Sequence, residues 1–484
     1  TTTLPASIIQ VRFESYLASP PVPREFRADR YVRAFRAGGG TVILCGTKKR
    51  FRSINARRSN QFSAGRRRVV SGHSGLTAFG PFRVRSFRYQ WPADMATSWA
   101  FEMETLILGW YVLVTTNSVL LLTVYGSLLY VGTLISPMIG VWSDRIGHRN
   151  MLSAMRAVYA AVAAILMALA FMHLLSPVLV LVMATFSGLV RPSDMGLRGT
   201  LVAETMPPDH LTSAMSISRT TGDTARIAGA LTGAGMFAAV GMGPAYVAIT
   251  LFYLASTVLT WLTGAPLVAH RTTNEPKLSP WRELWMGLVH VWNTPTLLAI
   301  VWYAFLFNLA AFSITGGLLP YVARDVYHID QTGLGYLVAS IGVGALTGAI
   351  ALTRTSVNIP LPKVMTISAV VWFILLFVFA QTTNMVGGIV LLILCGIAQS
   401  LTMVCHTVIL LRASGQKLRG RVTGVRMLAI YTLPIGLLSA GALVEVIGFR
   451  ATVSLYSITG LIFTVLIAVR WRASLWRIRN VDAD

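Results

Sequence analysis

The sequence predicts an all-α polytopic membrane protein, with twelve transmembrane helices in two six-helix bundles, and three observations carry that expectation. Of its 484 residues, 54% are hydrophobic and only 12% are charged, with a mean hydropathy of +0.64. That balance excludes the ordinary water-soluble classes. Apolar runs of roughly 20 residues, enough for a helix to cross a bilayer, recur at 90–114, 119–142, 151–172, 177–203, 211–240 and 244–262. After a polar connection six more follow, at 296–321, 331–353, 363–380, 385–411, 420–446 and 452–471. Lys and Arg gather on alternate connections, fifteen on one set with the C-terminal tail against only Arg324 and Arg450 on the other. Positive charge is retained on the cytoplasmic side, so an inner (plasma) membrane protein with both termini in the cytoplasm is expected.

Residues 1–86 read as a basic leader, 87–264 as the first bundle, 265–295 as a cytoplasmic linker with an amphipathic helix, 296–471 as the second bundle and 472–484 as a tail. Up to residue 90, 18 Lys and Arg stand against Glu14, Glu25 and Asp29, so much of the formal net charge of +23 belongs to the leader. Its Arg clusters, Ser and Gly, without apolar periodicity, predict disorder. The composition fits a transit peptide or a reading frame extended upstream of the start, since the first methionine is Met95. Nucleic acid is not expected as a partner, because no aromatic platform or folded reading element accompanies the charge. Gly40 to Gly46 followed by Thr47 and Lys48 fails as a phosphate loop, whose lysine directly follows the second glycine. Cys45, Cys395 and Cys405 lack metal-ligand spacing, and neither a disulfide framework, a metal site nor a cofactor is called for.

Between the second and third spans stands Gly140-Val-Trp-Ser-Asp144-Arg145-Ile-Gly147-His148-Arg149. This resembles the signature loop of the major facilitator superfamily, placed in the connection where that family carries it. Gly140 is expected to let a neighbouring helix approach, Gly147 to permit a tight reversal, and Asp144 beside Arg145 and Arg149 to form an ion network that holds or releases the cytoplasmic ends of the two halves, with His148 part of the same gating motif. The resemblance implies that Asp144 faces the region of Gly420 and Arg421 in one access state. The corresponding loop of the second half, 353–363, has no acidic residue. Trp281 to His290, Asn308 to Phe312 and Leu319 to Asp325 resemble the enterobactin-exporter-like branch. Gly229, Gly233 and Gly235 in the fifth span are similar to the glycine-rich element of drug/proton antiporters but lack its proline, and small residues at that spacing equally serve helix packing. Leu211, Arg219 and Gly229 share a constant offset with Leu418, Arg426 and Gly436 in the eleventh span, a weak internal repeat.

Charges inside a bilayer are costly, so each is a candidate for a coupling or substrate site. The first span carries Asp94, Glu102 and Glu104. Glu102 lies about 18–20 Å along a helix begun near Gln90, close to mid-membrane. Glu102 and Glu104 are two residues apart, so one can face a central cavity while the other finds a neighbouring helix. Arg191, Asp194 and Arg198 share one face of the fourth span, and Arg219, Asp223 and Arg226 one face of the fifth. Glu102 or Glu104 is expected to meet Arg191 and Arg226, and the alternative is a static set of ion pairs. Burial and a neighbouring guanidinium push a carboxylate's proton affinity in opposite directions, so a helix shift can switch its protonation. His406 and Arg426 are the second half's candidates, His406 also passing as a packing residue. Trp302, Tyr303, Phe305 and Phe307 read as a lipid-facing or packing stripe.

The expectation is a secondary transporter, working as a monomer with a small-molecule substrate, protons and membrane lipid. Export of an amphipathic organic molecule against protons follows from the resemblance and from the buried carboxylates. The alternatives are a proton symporter importing a metabolite and a transport-incompetent membrane sensor or scaffold. Enzyme chemistry is not expected, since no nucleophile motif or paired-carboxylate spacing calls for it.

Overall fold

A computed structural model describes residues 32–37, 40–45, 80–264, 280–354 and 360–475. The chain divides into two compact units, Thr1–Thr77 and Ala78–Asp484. In the first, strands Val32–Ala37 and Gly40–Cys45 pair antiparallel, with Val32 opposite Cys45 and Ala37 opposite Gly40. This stretch of the leader therefore carries a hairpin where disorder was expected. Val, Phe and Ile alternating around a run of glycines is the local signal for it.

The second unit is helical throughout its described residues. Span 1 is Arg85–Thr116, starting five residues before the apolar run does. Span 2 is broken into Val119–Leu128, Val131–Leu134 and Ser136–Ile146. Spans 3 to 6 are His148–Phe171, Pro177–Thr205, Pro208–Val240 and Met242–Leu262. The linker helix is Pro280–Asn293. Span 7 begins at Pro295–Leu306 and continues through two π-helical turns, Phe307–Phe312 and Val322–Val326. Spans 8 to 10 are Gln331–Arg354, Leu361–Gln381 and Met385–Ala413. Span 11 starts with Gly415–Leu428, and Thr432–Arg470 completes it and forms span 12. The break between them is Gly448, whose φ of 80° is left-handed and suits glycine.

Eight helices are long and apolar enough to cross a membrane on composition alone, the last holding both spans 11 and 12. Spans 1, 2 and 5 complete the twelve. Spans 1 and 5 fall short of that measure because of the charges they carry, and span 2 because it is segmented. Peripheral faces carry apolar stripes at helical spacing that stay exposed: Ile367, Val371, Ile374 and Val378 on span 9, and Leu455, Ile458, Ile462 and Leu466 on span 12. In water such faces would be a liability, and in lipid they are what solvation requires.

Equivalent positions of the two halves pack alike. A methyl group on Gly229 of span 5 would lie 2.8 Å from Glu102 Cβ and 2.9 Å from the Trp99 carbonyl oxygen in span 1, and Gly436 of span 11 is closed in the same way by Leu309 and Ser313 of span 7. The repeat in the sequence is thus a repeat in helix packing. Gly233 abuts Met103 of span 1, whereas Gly235 meets nothing within 4 Å. The glycine-rich element of span 5 is accordingly a seat for span 1.

Candidate functional site

Span 1 is 32 residues long, and Glu102 and Glu104 lie near its middle. They diverge as their spacing requires. Glu102 turns to span 5, where its Oε1 lies 3.6 Å from Arg226 Nε, and both side chains stay partly open, at 24% and 37% exposure. Glu104 turns to span 6, where Tyr253 Oη donates to its Oε2 at 2.8 Å and the residue is buried. The hydroxyls of Tyr125, Tyr159 and Tyr246 are also buried, without a hydrogen-bond partner among the described residues. The expected meeting of carboxylates with both arginines is half realised. Arg191 lays its guanidinium on the Phe101 ring, with Tyr130 5.3 Å away, and lies within electrostatic reach of Glu104 without forming an ion pair among the described residues.

A second, tighter network lies one to two turns nearer the start of span 1. Arg156 of span 3 is fully buried and pairs with Asp94 of span 1 and, at 3.6 Å, with Asp194 of span 4. Asp194 also binds Arg198 one turn on, at 2.5 Å, and Arg198 donates to Ser98 Oγ at 2.7 Å. Thr260 Oγ1 of span 6 accepts from Arg156. Two cations and two anions from three helices neutralise one another, which is the geometry a buried charge needs. Arg156 was missed in the sequence although a lone arginine inside an apolar run was the signal for it.

On span 5, Arg219 is exposed and Asp223 is half-buried. His406 is buried and bonds the Ile300 carbonyl oxygen at 3.0 Å, with Phe307 edge-on at 6.4 Å between ring centroids. It serves packing in this state. Arg426 is half-buried, and its Nε has no hydrogen-bond partner. Of the aromatic stripe, Tyr303 and Phe307 are core residues while Trp302 is exposed, so the group divides between packing and the outer surface.

The halves meet unequally along their length. Call the end carrying 140–149 the motif end and the other the far end. At the far end Arg324 of span 7 donates to the Leu113 carbonyl oxygen at 2.6 Å and to Asn117 Oδ1 at 3.0 Å, while its other nitrogens hold Asp325. Glu445 of span 11 accepts from Ser118 Oγ at 3.0 Å and from the Leu120 amide at 3.1 Å. A cation thus sits on the C-terminus of span 1 and an anion on the N-terminus of span 2, each matched to its helix dipole. Ser127 bonds the Pro434 carbonyl oxygen, and Tyr431 that of Thr133, at mid-length. These hydrogen bonds between the halves lie between the far end and this level.

Toward the motif end, Gly140, Gly222 and Gly424 of spans 2, 5 and 11 have nothing within 4 Å of a Cβ position. Gly147 does reverse the chain, with φ 93°. His148 Nδ1 lies 2.8 Å from Glu204 Oε1 of span 4, Arg149 donates to the Thr263 carbonyl oxygen at 3.2 Å, and Arg145 is exposed. The side chains of Asp144 and Gly420 lie outside the described residues. The hydrogen bonds described between the halves thus lie toward the far end, while Gly222 and Gly424 nearer the motif end meet no described neighbour.

Twelve spans in two pseudo-equivalent halves, with ionisable groups at mid-depth, define a polytopic membrane transporter. Residues 94–437 match the sequence profile of the Major Facilitator Superfamily, and the chain belongs to that superfamily. Its structure is similar to a mutant form of the nucleoside transporter NupG, at 15% identity and a TM-score of 0.58 over 81% of this chain and 100% of that one. It is similar to a D-xylose-proton symporter, at 12% identity and 0.61 over 79% and 96%. The human organic anion transporter TETRAN matches at 14% identity and 0.55 over 80% and 99%. At these identities the likeness is one of fold. No curated protein matches the sequence.

Proposed function

We propose that this chain exports an amphipathic organic small molecule in exchange for protons, by alternating access, with Glu102 carrying the proton and Arg226 as the cation that competes for it. The observation that carries this reading is the Glu102–Arg226 pair, at 3.6 Å and partly exposed. A carboxylate that can trade a guanidinium for a proton is a switch, whereas the Asp94–Arg156–Asp194–Arg198 cluster is closed and neutral and serves as scaffold. With basic connections on the cytoplasmic side, the motif end faces the cytoplasm of an inner-membrane protein, and the concentration of contacts at the far end favours an inward-facing state. Asp144, Arg145 and Arg149 close that end in the opposite state, and Arg324 and Glu445 release the far end.

The test uses liposomes with an acidic interior and a trapped pH dye, challenged with amphipathic compounds, wild type beside Glu102→Gln. Substrate-triggered proton release in the wild type alone supports the reading. Release unchanged in the variant removes Glu102 from the coupling, and release from neither, with substrate still bound, removes proton exchange.

A further inference from the structure

The linker helix Pro280–Asn293 carries apolar residues on two faces. One face packs on the start of span 11. There a methyl group on Gly287 would lie 2.9 Å from the Arg421 carbonyl oxygen, Met286 Sδ accepts from Arg421 Nη1 at 4.0 Å, and Val291 on the same face as Gly287 is buried. The other face carries Trp285, Leu288, Val289 and Trp292, spaced i, i+3, i+4 and i+7 and hence in one stripe. All four are exposed, the two tryptophans at 64% and 68%. A contiguous aromatic and aliphatic stripe of this kind is costly in water and marks a surface that meets something apolar. Arg282, also exposed, lies along its edge.

Connectivity fixes the level at which this stripe lies. Thr294 alone separates Asn293 from Pro295, where span 7 begins at its motif end. Thr296 Oγ1 donates to the Ser474 carbonyl oxygen at 3.4 Å, so the end of span 12 stands at the same level. There Arg470 and Arg472 are exposed, and the Arg470 guanidinium lies 5.4 Å from the Trp471 ring. Tryptophan and arginine together at the end of a span mark the headgroup level of a bilayer, where an indole keeps its apolar body in lipid and its N–H in water. We propose that the linker helix is a membrane-surface anchor that lies in the motif-end leaflet, with Trp285, Leu288, Val289 and Trp292 at the boundary of headgroups and acyl chains and Arg282 at the lipid phosphates. A stripe of this composition beside a cationic edge is what holds an amphipathic helix about 5–10 Å deep in that boundary. The partner is thus a phospholipid surface. Because the opposite face of the same helix grips Arg421, the leaflet sets the depth of the start of span 11, while span 7 follows directly from the last turn of the helix. The anchor is separate from the exchange reading and requires neither the substrate nor the proton.

The experiment scans a nitroxide label along the linker helix of the full-length protein in nanodiscs of mixed phosphatidylcholine and phosphatidylglycerol. Cys45→Ser removes one native thiol, and Cys395 and Cys405 are buried and escape the label. At each position, collision with oxygen, which partitions into acyl chains, is compared with collision with a water-soluble nickel chelate. Labels at Trp285→Cys, Leu288→Cys and Trp292→Cys should favour oxygen severalfold, and Arg282→Cys should shift toward the chelate. Preference for the chelate at the first three positions overturns the anchor, because it places the stripe in water. Protection from both reagents overturns it as well, since a second copy or residues 265–279 of this chain would then cover the stripe. Trp285→Asp combined with Trp292→Asp tests the driving force: it should free the helix from the leaflet and turn the label at Leu288→Cys from oxygen to the chelate. An oxygen preference unchanged there overturns the tryptophans as the anchor. If that double variant does not fold, the scan in the otherwise unaltered helix decides alone.

Discussion

Glu102 and Glu104 illustrate how two residues of one type on one helix take different work. Glu104 is held by Tyr253 in the interior of the first bundle, so Tyr253→Phe should lower the melting temperature in detergent by leaving a buried carboxyl without its donor, at about 1–3 kcal/mol. A wild-type melting curve would show that Tyr253 contributes nothing there. Arg156→Met strips the partner from Asp94 and Asp194 at once and should cost about 3–5 kcal/mol, seen as loss of folded, monodisperse protein. Glycines separate as cleanly. Gly233→Ala forces a methyl against Met103 Cα and should destabilise by about 1–3 kcal/mol, whereas Gly235→Ala, facing open space, should leave the melting temperature within error.

Among the elements, the far-end closure depends on how spans 1 and 2 meet their partners. The turn between them exposes the carbonyl end of one helix and the amide end of the next, and the second bundle supplies Arg324 to the first and Glu445 to the second. Arg324 sits in a π-helical turn, where the extra residue per turn re-aims the side chain off the regular helix face. Arg324→Gln combined with Glu445→Gln should shift the balance toward far-end opening by roughly tenfold, given the strength of hydrogen bonds to charged groups. Spin labels at Leu174→Cys and Val386→Cys, on the far ends of the two halves, should then report a longer-distance population that wild type lacks. An unchanged distance distribution would reduce these contacts to surface decoration.

For the whole molecule, the expected topology and access state are tested together. Ser216→Cys, exposed on the motif-end half of span 5, should react with a membrane-impermeant maleimide in inside-out vesicles and stay protected in right-side-out ones. The reverse pattern would invert the orientation read from the positive connections. The unit Thr1–Thr77 is compact by itself, and its removal should leave transport intact. Loss of transport on that truncation would give the leader a role in the transporter proper.

The twelve spans, the two halves and the place of the Gly140–Arg149 loop were legible in the sequence, because a bilayer demands long apolar runs and the superfamily's loop carries residues that composition alone does not ask for. Even the pairing of Glu102 with the fifth span was within reach, since spacing confines each charge to one helix face. What spacing cannot fix is the rotation of each helix against its neighbours. That rotation sent Arg191 to aromatic rings, brought the overlooked Arg156 between two aspartates, and seated Gly229 and Gly233 on span 1. The access state belongs to the tertiary structure alone, because one sequence must support closure at either end and only the packing of the halves selects which.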